Sequence, residues 1–323
     1  MRLGFPVKVL GQPGLKSHDT RRWQNHPHLS VSLAYLRDVF LYLDRQDIRM
    51  YRMAADLAPY VSHPDLPRFH YQIDDCATEL SALGAMAKSY DLRLSFHLQL
   101  STVLNALDEA IALQAAQLIT AQAMILDGMK LGDEAVVVTH VGGAYGDRDA
   151  ALERFAARCD LLPDRARRRL ALENDDNRFS VADIMWVHRR TGVPLVFDYL
   201  HFQNHNPEGM LLMEALEVCL GSWPQNVRPK IHFSSPRTAM RVIDRTSSQD
   251  ERREPIMRAP RPHQHADFID PFQFMHFVRK VKTIDLPEFD FMLEAKAKDL
   301  AVLHLREHLA RLAPDAMYWG SNG

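Results

Sequence analysis

The sequence predicts an α/β protein whose 323 residues form a single (β/α)8 TIM-barrel domain, 1–323. Three observations indicate this fold. Short apolar runs alternate with helical patterns along the chain, eight such units follow one another, and no GxGxxG or Walker phosphate loop favours an open sheet. Near-continuous apolar strands between helices are typical of parallel sheets. Eight units close such a sheet into a barrel, which often uses a chain of this length as one domain.

The predicted strands are short and apolar, and helical periodicity fills the stretches between them. The strands are expected at 2–5, 48–53, 92–97, 135–140, 170–173, 194–198, 229–234 and 289–294. The helices are expected at about 30–45, 73–90, 106–130, 147–158, 180–191, 208–220, 271–282 and, at the carboxyl end, 299–312. Long loops are expected at 6–29 and 234–264, both leaving the presumed functional face.

Composition is that of an ordinary globular protein, with 46% hydrophobic and 25% charged residues. No apolar run approaches the roughly 18 residues of a membrane span, and the amino terminus lacks the pattern of a secretory signal. We therefore expect a soluble, cytoplasmic protein with no membrane association and no obligate protein partner. Three widely spaced cysteines predict neither disulfides nor a thiolate zinc site. A formal charge of −2 excludes strong global attraction to nucleic acid but leaves room for a local basic groove.

Six predicted strands end on a histidine or a carboxylate. These residues are His97, His140, Glu173, Asp198, His232 and Glu294. The carboxyl ends of barrel strands converge on one face, so we expect three imidazoles and three carboxylates around one cavity. This donor set is typical of a metal site. A single polar residue at a strand end is explained by an ordinary structural role, but six such residues together are not.

Three loop histidines extend the predicted ligand set, namely His63, His201 and His265. Mixed imidazole and carboxylate donors suit Mn, Fe or Zn better than Mg. The nine side chains suffice for two or three divalent ions, with Glu173 and Asp198 as bridging carboxylates. Clustered ions stabilise the attacking and leaving oxygens of an in-line displacement and lower the pKa of bound water, which fits phosphodiester hydrolysis.

Basic residues accompany this set. Lys230 and Lys296 lie on or just after strands that bear ligands, and we interpret them, with Glu173, as candidate catalytic residues. The loop at 234–264 has a local excess of arginine, including Arg237 and Arg241. Two interpretations stay open for this loop: a solvated flexible segment, or one that tracks phosphates and binds substrate.

At these residues the chain resembles the UV damage endonuclease family. The shared pieces run through most of the chain: 2–5, 51–53, 94–97, 103–105, 140–146, 172–175, 194–198, 230–234, 265–267 and 294–298. The resemblance implies a TIM barrel, a three-metal site usually associated with manganese, the nine ligands named above, and double-stranded DNA as substrate. It also implies that Lys230 can be carboxylated and join the site. We interpret Asn105 and Tyr145, which stand in shared pieces, as substrate-binding residues.

The chain departs from the family where the lesion is read. The family follows its third-strand histidine with a Pro-x-Gln-Tyr or Pro-x-Gln-Phe turn that probes the damaged duplex, whereas this chain has Leu98-Gln99-Leu100-Ser101. Without the aromatic, a stacking contribution of about 1–3 kcal/mol per base is lost. Metal chemistry is unaffected by this change, but the damage specificity is not fixed by the sequence.

Three functions are compatible with these features. The leading hypothesis is a metal-dependent endonuclease that hydrolyses a DNA phosphodiester bond beside UV photoproducts or other lesions. The alternative is a multinuclear iron or manganese TIM-barrel enzyme that acts on a small molecule or peptide, such as an oxygenase or isomerase. A non-catalytic nucleic-acid-binding or protein-binding protein is disfavoured, because an idle site has no need for so many buried polar groups.

Overall fold

The computed structural model describes residues 1–99, 101–246 and 253–317. Its strands in chain order are β1 (Leu3–Pro6), β2 (Met50–Arg52), β3 (Arg93–His97), β4 (Val137–His140), β5 (Leu170–Glu173), β6 (Leu195–Val196), β7 (Lys230–Phe233), β8 (Arg241–Thr246), β9 (Arg253–Arg258) and β10 (Asp290–Leu293). All except β8 and β9 form one eight-stranded parallel sheet. The predicted TIM barrel is therefore confirmed.

The sheet runs in the order β6-β5-β4-β3-β2-β1-β10-β7 and curls into a barrel. Its two outermost strands, β6 and β7, meet through a parallel bridge between Asp198 and His232. There the His232 N–H donates to the carbonyl of Phe197 at 2.9 Å. The seam between β6 and β7 is thus closed just past the end of the two-residue strand β6, beside residues of the predicted metal site.

The helices form the outer layer. They are α1 (Leu29–Arg45), α2 (Gln72–Asp75), α3 (Ala77–Ser89), α4 (Glu109–Gly128), α5 (Arg148–Asp160), α6 (Asp164–Arg169), α7 (Val181–Thr191), α8 (Tyr199–Asn204), α9 (Leu212–Gly221), α10 (Pro271–Val281) and α11 (Asp299–Leu312). Local chemistry sets their ends: α7, for example, starts in a reciprocal Ser180–Asp183 capping box and stops at Gly192, which has φ 73°. The short helices α6 and α8 are additions to the predicted set.

Helix α4 is the one helix in the described ranges that is long and apolar enough to span a membrane by length and composition. The expectation that no apolar stretch reaches this length is therefore wrong by that criterion. However, 44% of its most apolar window is buried, and α4 contacts α3, α6 and β4 in the outer layer of the barrel. We interpret it as a core helix.

A buried ion pair occupies the amino-terminal end of the barrel. Arg93 on β3 is fully buried, and its Nη1 donates to Asp290 Oδ2 and to the Pro229 carbonyl, both at 2.9 Å. The backbone N–H of Arg2 donates to the other oxygen of Asp290 at 2.8 Å. Because β3 and β10 are not neighbours in the sheet, this pair links strands across the barrel.

The segment after β7, expected as a long loop, contains an antiparallel hairpin of β8 and β9. The register places Arg241 opposite Arg258 at its base. A bridge between Pro236 and His265 holds the two ends of the segment together beside the barrel. The segment that carries the hairpin is therefore closed at its base by a bridge to the predicted metal ligand His265.

Candidate metal centre

The carboxyl ends of the barrel strands deliver the predicted ligands to one mouth. His97, His140 and Glu173 are the last residues of β3, β4 and β5; Asp198 follows β6 by two residues; His232 lies within β7; and Glu294 directly follows β10. Parallel strands in register place these side chains around the same opening, as the strand-end pattern predicts.

Glu173 lies at the centre of the cluster. Its Oε2 is 2.8 Å from His97 Nε2 and 3.8 Å from His140 Nε2. Its Oε1 is 2.9 Å from His232 Nδ1 and 3.4 Å from His201 Nδ1. One buried carboxylate therefore faces four imidazoles, an arrangement suited to a bridging ligand.

Three overlapping groups of side chains place their donor atoms within 4.8 Å of one another, close enough to hold an ion. They are His97, Glu173 and His232; His140, Glu173 and His201; and Asp198, His232 and Glu294. The first two groups share Glu173, and the first and third share His232. The described residues thus offer up to three adjoining ion positions.

Backbone carbonyls orient most of the imidazoles. The Nδ1 atoms of His97, His140 and His201 lie 2.7, 3.3 and 2.9 Å from the carbonyls of Leu98, Glu173 and Asn174, and His265 Nδ1 lies 2.6 Å from that of Glu294. A carbonyl only accepts, so each Nδ1 carries a proton, and Nε2 is the ring nitrogen that can bind an ion once the ring is neutral. Histidines that bind metals commonly have their other ring nitrogen held by such an acceptor, which fixes the orientation of the ring.

Among the residues that the structure describes, several buried polar atoms of the cluster have no hydrogen-bond partner. They are Glu173 Oε1, Asp198 Oδ2, both ring nitrogens of His232, and Lys230 Nζ. His232 Nδ1 and Glu173 Oε1 are close but not aligned for a hydrogen bond. Orphaned buried donors and acceptors are costly, and divalent ions would satisfy the oxygens and the imidazole. The residues present therefore fit a metal site.

The charges of the cluster are strongly coupled. Burial lowers the pKa of His232 to about 4 despite the attraction of Glu173, so this ring is neutral at pH 7. Burial also disfavours a charged His201, but Asp198 and Glu173 raise its pKa well above the ordinary value. Burial would protonate Glu173, yet the imidazoles around it hold its pKa well below the usual range.

The pKa of Asp198 is shifted in the opposite direction to that of Glu173. Burial raises its pKa to about 8, and the Glu173 charge adds to the rise although His201 opposes it. Its Oδ1 accepts from the His201 N–H at 2.8 Å and caps α8. Without ions, the acidic form of Asp198 is favoured at neutral pH, and a cation must displace that proton to bind the carboxylate.

Arg52, the last residue of β2, is a site residue absent from the predicted set. Its guanidinium hydrogen-bonds to Glu294 Oε1, and although burial opposes ionisation, this charge holds the pKa of Glu294 well below its usual range. The sequence does carry a signal for Arg52, since β2 ends on this residue, but a strand-end pattern of histidines and carboxylates does not include arginine. Arg52 therefore keeps the predicted ligand Glu294 anionic and fixed in position.

Asn174, also absent from the predicted set, positions Asp198. Its Oδ1 accepts from the Asp198 N–H at 2.8 Å, and its Nδ2 donates to the Asp198 carbonyl at 3.2 Å. Asn174 is fully buried, directly after Glu173. The only signal in the sequence was its place in the Leu-Glu-Asn-Asp stretch.

Lys230 lies inside the barrel, two residues before His232. It is fully buried, and burial together with the charges of Arg93 and Arg52 lowers its pKa well below the ordinary range. The neutral amine is therefore favoured. A neutral buried amine near carboxylates and imidazoles is nucleophilic, which is compatible with the carboxylation that the family resemblance implies.

Two of the nine predicted ligands are outside the three groups of the described chain. His265 lies at their edge, with Nδ1 3.8 Å from Glu294 Oε2 and its ring 6.3 Å from that of His201. His63 borders a separate cavity of about 460 Å³ and accepts from the Asp65 N–H at 3.2 Å. Ligation by these two histidines stays a prediction.

The two predicted substrate-binding residues near β4 differ in their burial and contacts. Asn105 is fully buried, and its amide pairs with both the carbonyl and the N–H of Gly143. It orders the loop after β4 instead of presenting its side chain outward. Tyr145 is 46% exposed, and the Arg154 guanidinium stands 5.5 Å from its ring centre. Tyr145 is therefore accessible to a ligand.

Arg237, Arg241 and Lys296 lie together on the hairpin side of the mouth. Partial burial lowers the pKa of Lys296, and the charges of Arg241 and Arg237 lower it further. Lys296 and Arg241 are exposed, whereas Arg237 is half-buried. These residues form a positive rim beside the Glu294 end of the cluster, and no contact joins Lys296 to the central carboxylate in the described residues.

A parallel barrel with an acidic and imidazole cluster at its carboxyl mouth defines a TIM-barrel enzyme with its site on the usual face. Within that class, the model of the family described as UV-endonuclease UvdE matches residues 27–316. The chain belongs to this family of DNA-repair endonucleases.

Individual relatives agree with this assignment. The UV DNA damage endonuclease of Bacillus velezensis is 30% identical over 301 residues, covering 90% of this chain and 87% of the relative. The crystal structure of SacUVDE is 27% identical, with a TM-score of 0.77 and coverage of 97% of this chain and 99% of that one. Endonuclease IV from Thermus thermophilus, 14% identical with a TM-score of 0.57 and coverage of 96% and 100%, shares the fold.

Proposed function

We propose that this protein is a metal-dependent endonuclease that hydrolyses a phosphodiester bond of double-stranded DNA beside UV photoproducts or other lesions. Family membership supports the reaction and the DNA substrate. It also supports a cytoplasmic location. The finer parts of the proposal, namely the metal and the choice of lesion, rest on the residues of this chain.

The observation that carries the proposal is the sharing of Glu173 and His232 among three adjoining donor groups. Adjoining divalent ions fit a reaction in which charge develops on several phosphate oxygens at once. Two or three manganese ions are proposed, with iron or zinc as other ions that this donor set accepts. When bound, such ions polarise the phosphate and lower the pKa of a coordinated water.

The side chains of this chain have distinct proposed roles. His97, His140, Asp198, His201, His232 and Glu294 hold the ions around Glu173, with His63 and His265 as outer ligands. Arg52 fixes Glu294, and Asn174 fixes Asp198. Lys230, as a neutral amine, can add CO2 and release a proton, which would place one further carboxylate among the ligands. Lys296 and the neighbouring arginines attract the DNA backbone, and Tyr145 contacts the substrate near β4.

The test is nicking of end-labelled duplexes by the manganese-loaded protein. Intact, ultraviolet-irradiated and abasic duplexes are compared, with Glu173→Gln as the matched variant, because the amide keeps the shape of the side chain but loses its charge. We expect nicking of damaged duplexes that is lost in Glu173→Gln. A metal-loaded protein that nicks none of the duplexes would contradict the proposal and favour a small-molecule or peptide substrate.

A further inference from the structure

A basic cavity lies at the base of the β8–β9 hairpin. It has a volume of about 300 Å³ and is lined by Arg241, Arg258, Ala259, Pro260, Arg261 and Gln264. We call it the arginine cavity. Arg241 is the first residue of β8 and Arg258 the last of β9, so the cavity lies where the paired strands of the hairpin begin and end.

The register of the hairpin places two positive charges face to face. Arg241 and Arg258 are directly opposite in the antiparallel ladder. Like charges in this position destabilise a two-stranded sheet. None of the lining residues is acidic, and Arg261 adds a third guanidinium. An anion in the cavity would relieve this repulsion.

The arginine cavity is joined to the mouth of the barrel through its backbone. Gln264, which lines the cavity, accepts from the Arg237 N–H at 2.6 Å and immediately precedes His265. The Lys296 N–H donates to the carbonyl of Ala266 at 3.0 Å. The cavity is therefore held at a fixed position beside the Glu294 end of the candidate metal centre.

We propose that the arginine cavity binds one phosphodiester group of the DNA backbone, at a position other than the bond that is cleaved. This proposal rests on the proposed function. Guanidinium groups bind phosphate oxygens in pairs through a planar fork of N–H donors, so three of them around one cavity suit a phosphate group. The contact would fix the register of the cleaved strand across the mouth.

The test is binding of the full-length, manganese-loaded protein to an undamaged duplex over a range of salt concentrations. Each phosphate contact that is lost lowers the slope of log K against log salt by about 0.9. We expect this decrease in Arg258→Gln and in Arg261→Gln, and its recovery in Arg258→Lys, which keeps the charge. The matched control is Arg168→Gln on α6, an exposed arginine that precedes β5 and so lies at the opposite end of the barrel.

A scan of the same duplex with single methylphosphonates locates the contact. One neutral linkage should weaken binding by the wild type and leave Arg258→Gln unchanged. The proposal would be overturned if the cavity variants showed the same salt slope as Arg168→Gln. It would also be overturned if inorganic phosphate bound to the cavity while the salt slopes for DNA stayed unchanged, because the cavity would then be a site for free phosphate.

Nicking of damaged duplex, measured in parallel, separates the two proposals. Normal nicking with unchanged slopes means that the cavity proposal fails and the endonuclease stands. If the cavity variants show reduced salt slopes but neither they nor the wild type nick any duplex, the cavity proposal stands and the endonuclease proposal fails.

Discussion

At the scale of single residues, the candidate metal centre depends on side chains that never touch an ion. Asn174 uses both ends of its amide to hold the backbone of Asp198, and backbone carbonyls fix the rings of His97, His140 and His201. Such support sets which nitrogen or oxygen faces the cavity. The sequence identifies candidate metal ligands by residue type, but it does not identify the residues that hold those ligands in their orientation.

Replacing Asn174 by alanine should therefore weaken metal binding. The Asp198 N–H would be left buried without its partner, at a cost of roughly 1–3 kcal/mol, whereas the Asp198 carbonyl would keep the bond from the Phe202 N–H. We expect manganese affinity to fall by about 10- to 100-fold, the range typical of outer-shell changes. Calorimetric titration with Mn²⁺ measures this. Asn177→Ala, an exposed asparagine in the same loop, is the control, and equal affinities for the two variants would contradict the positioning role.

The raised pKa of Asp198 predicts that metal binding depends on pH. With a pKa of about 8, the metal-free carboxyl is mostly protonated at pH 7, and binding must release that proton. Affinity should therefore rise by at least about tenfold per pH unit below 8, because His201, whose pKa is also raised, must lose a proton as well. Titrations in buffers of different ionisation enthalpy would count the released protons. Release of none at pH 7 would show that Asp198 is ionised before the ion arrives.

At the scale of strands and helices, most of the barrel was predictable and the short additions were not. Strand β5 falls at the predicted residues, because four buried apolar or strand-ending residues stand between polar segments. Helix α6 contains four arginines and no apolar stripe, so its six residues gave no helical periodicity. The hairpin depends on pairing between residues 241 and 258, which lie apart in the sequence. Long-range pairing leaves little local signal.

The ion pair between β3 and β10 predicts a pH-dependent stability. Burial would raise the pKa of Asp290, but Arg93 and the Arg2 N–H lower it more, and the guanidinium stays protonated at any relevant pH although burial lowers its pKa too. A depressed folded-state pKa stabilises the fold above the unfolded value near 3.9, and this contribution is lost as pH falls through the folded value.

Asp290→Asn should thus lower the free energy of unfolding at pH 7 by about 3–5 kcal/mol, because the Arg93 charge would be left buried and unpaired. The loss should shrink as the pH is lowered below about 4. Urea denaturation at several pH values measures both effects, with the exposed Asp285→Asn as control. A difference that stays constant down to acid pH would contradict the assignment of charge to Asp290.

At the scale of the whole molecule, the barrel closes where the ions are proposed to bind. The bridge between Asp198 and His232 joins β6 to β7, and both residues belong to one donor group. Divalent ions should therefore close the seam as well as support catalysis. A ligand that binds only the folded state at 100 times its dissociation constant adds about 2.7 kcal/mol of stability.

Manganese should raise the melting temperature and slow amide hydrogen exchange selectively at the β6–β7 seam. The protected amides should include His232, whose N–H donates across the seam, whereas those of β1 and β2 should change little. Exchange measured by mass spectrometry with and without Mn²⁺ resolves this. Uniform protection of all strands would show that the ions stabilise the barrel without acting on its closure.

The position of the closing seam links the intracellular stability of the protein to the supply of metal. A barrel that opens at β6–β7 when ions are scarce exposes its interior strands to proteases, and degradation follows the population of the open form. Starvation for manganese would then reduce how many copies of the protein persist, in addition to silencing those that remain. We expect the intracellular half-life to follow metal supply, so that restoring the metal would reactivate the surviving copies at once and recover the remaining activity only after new synthesis.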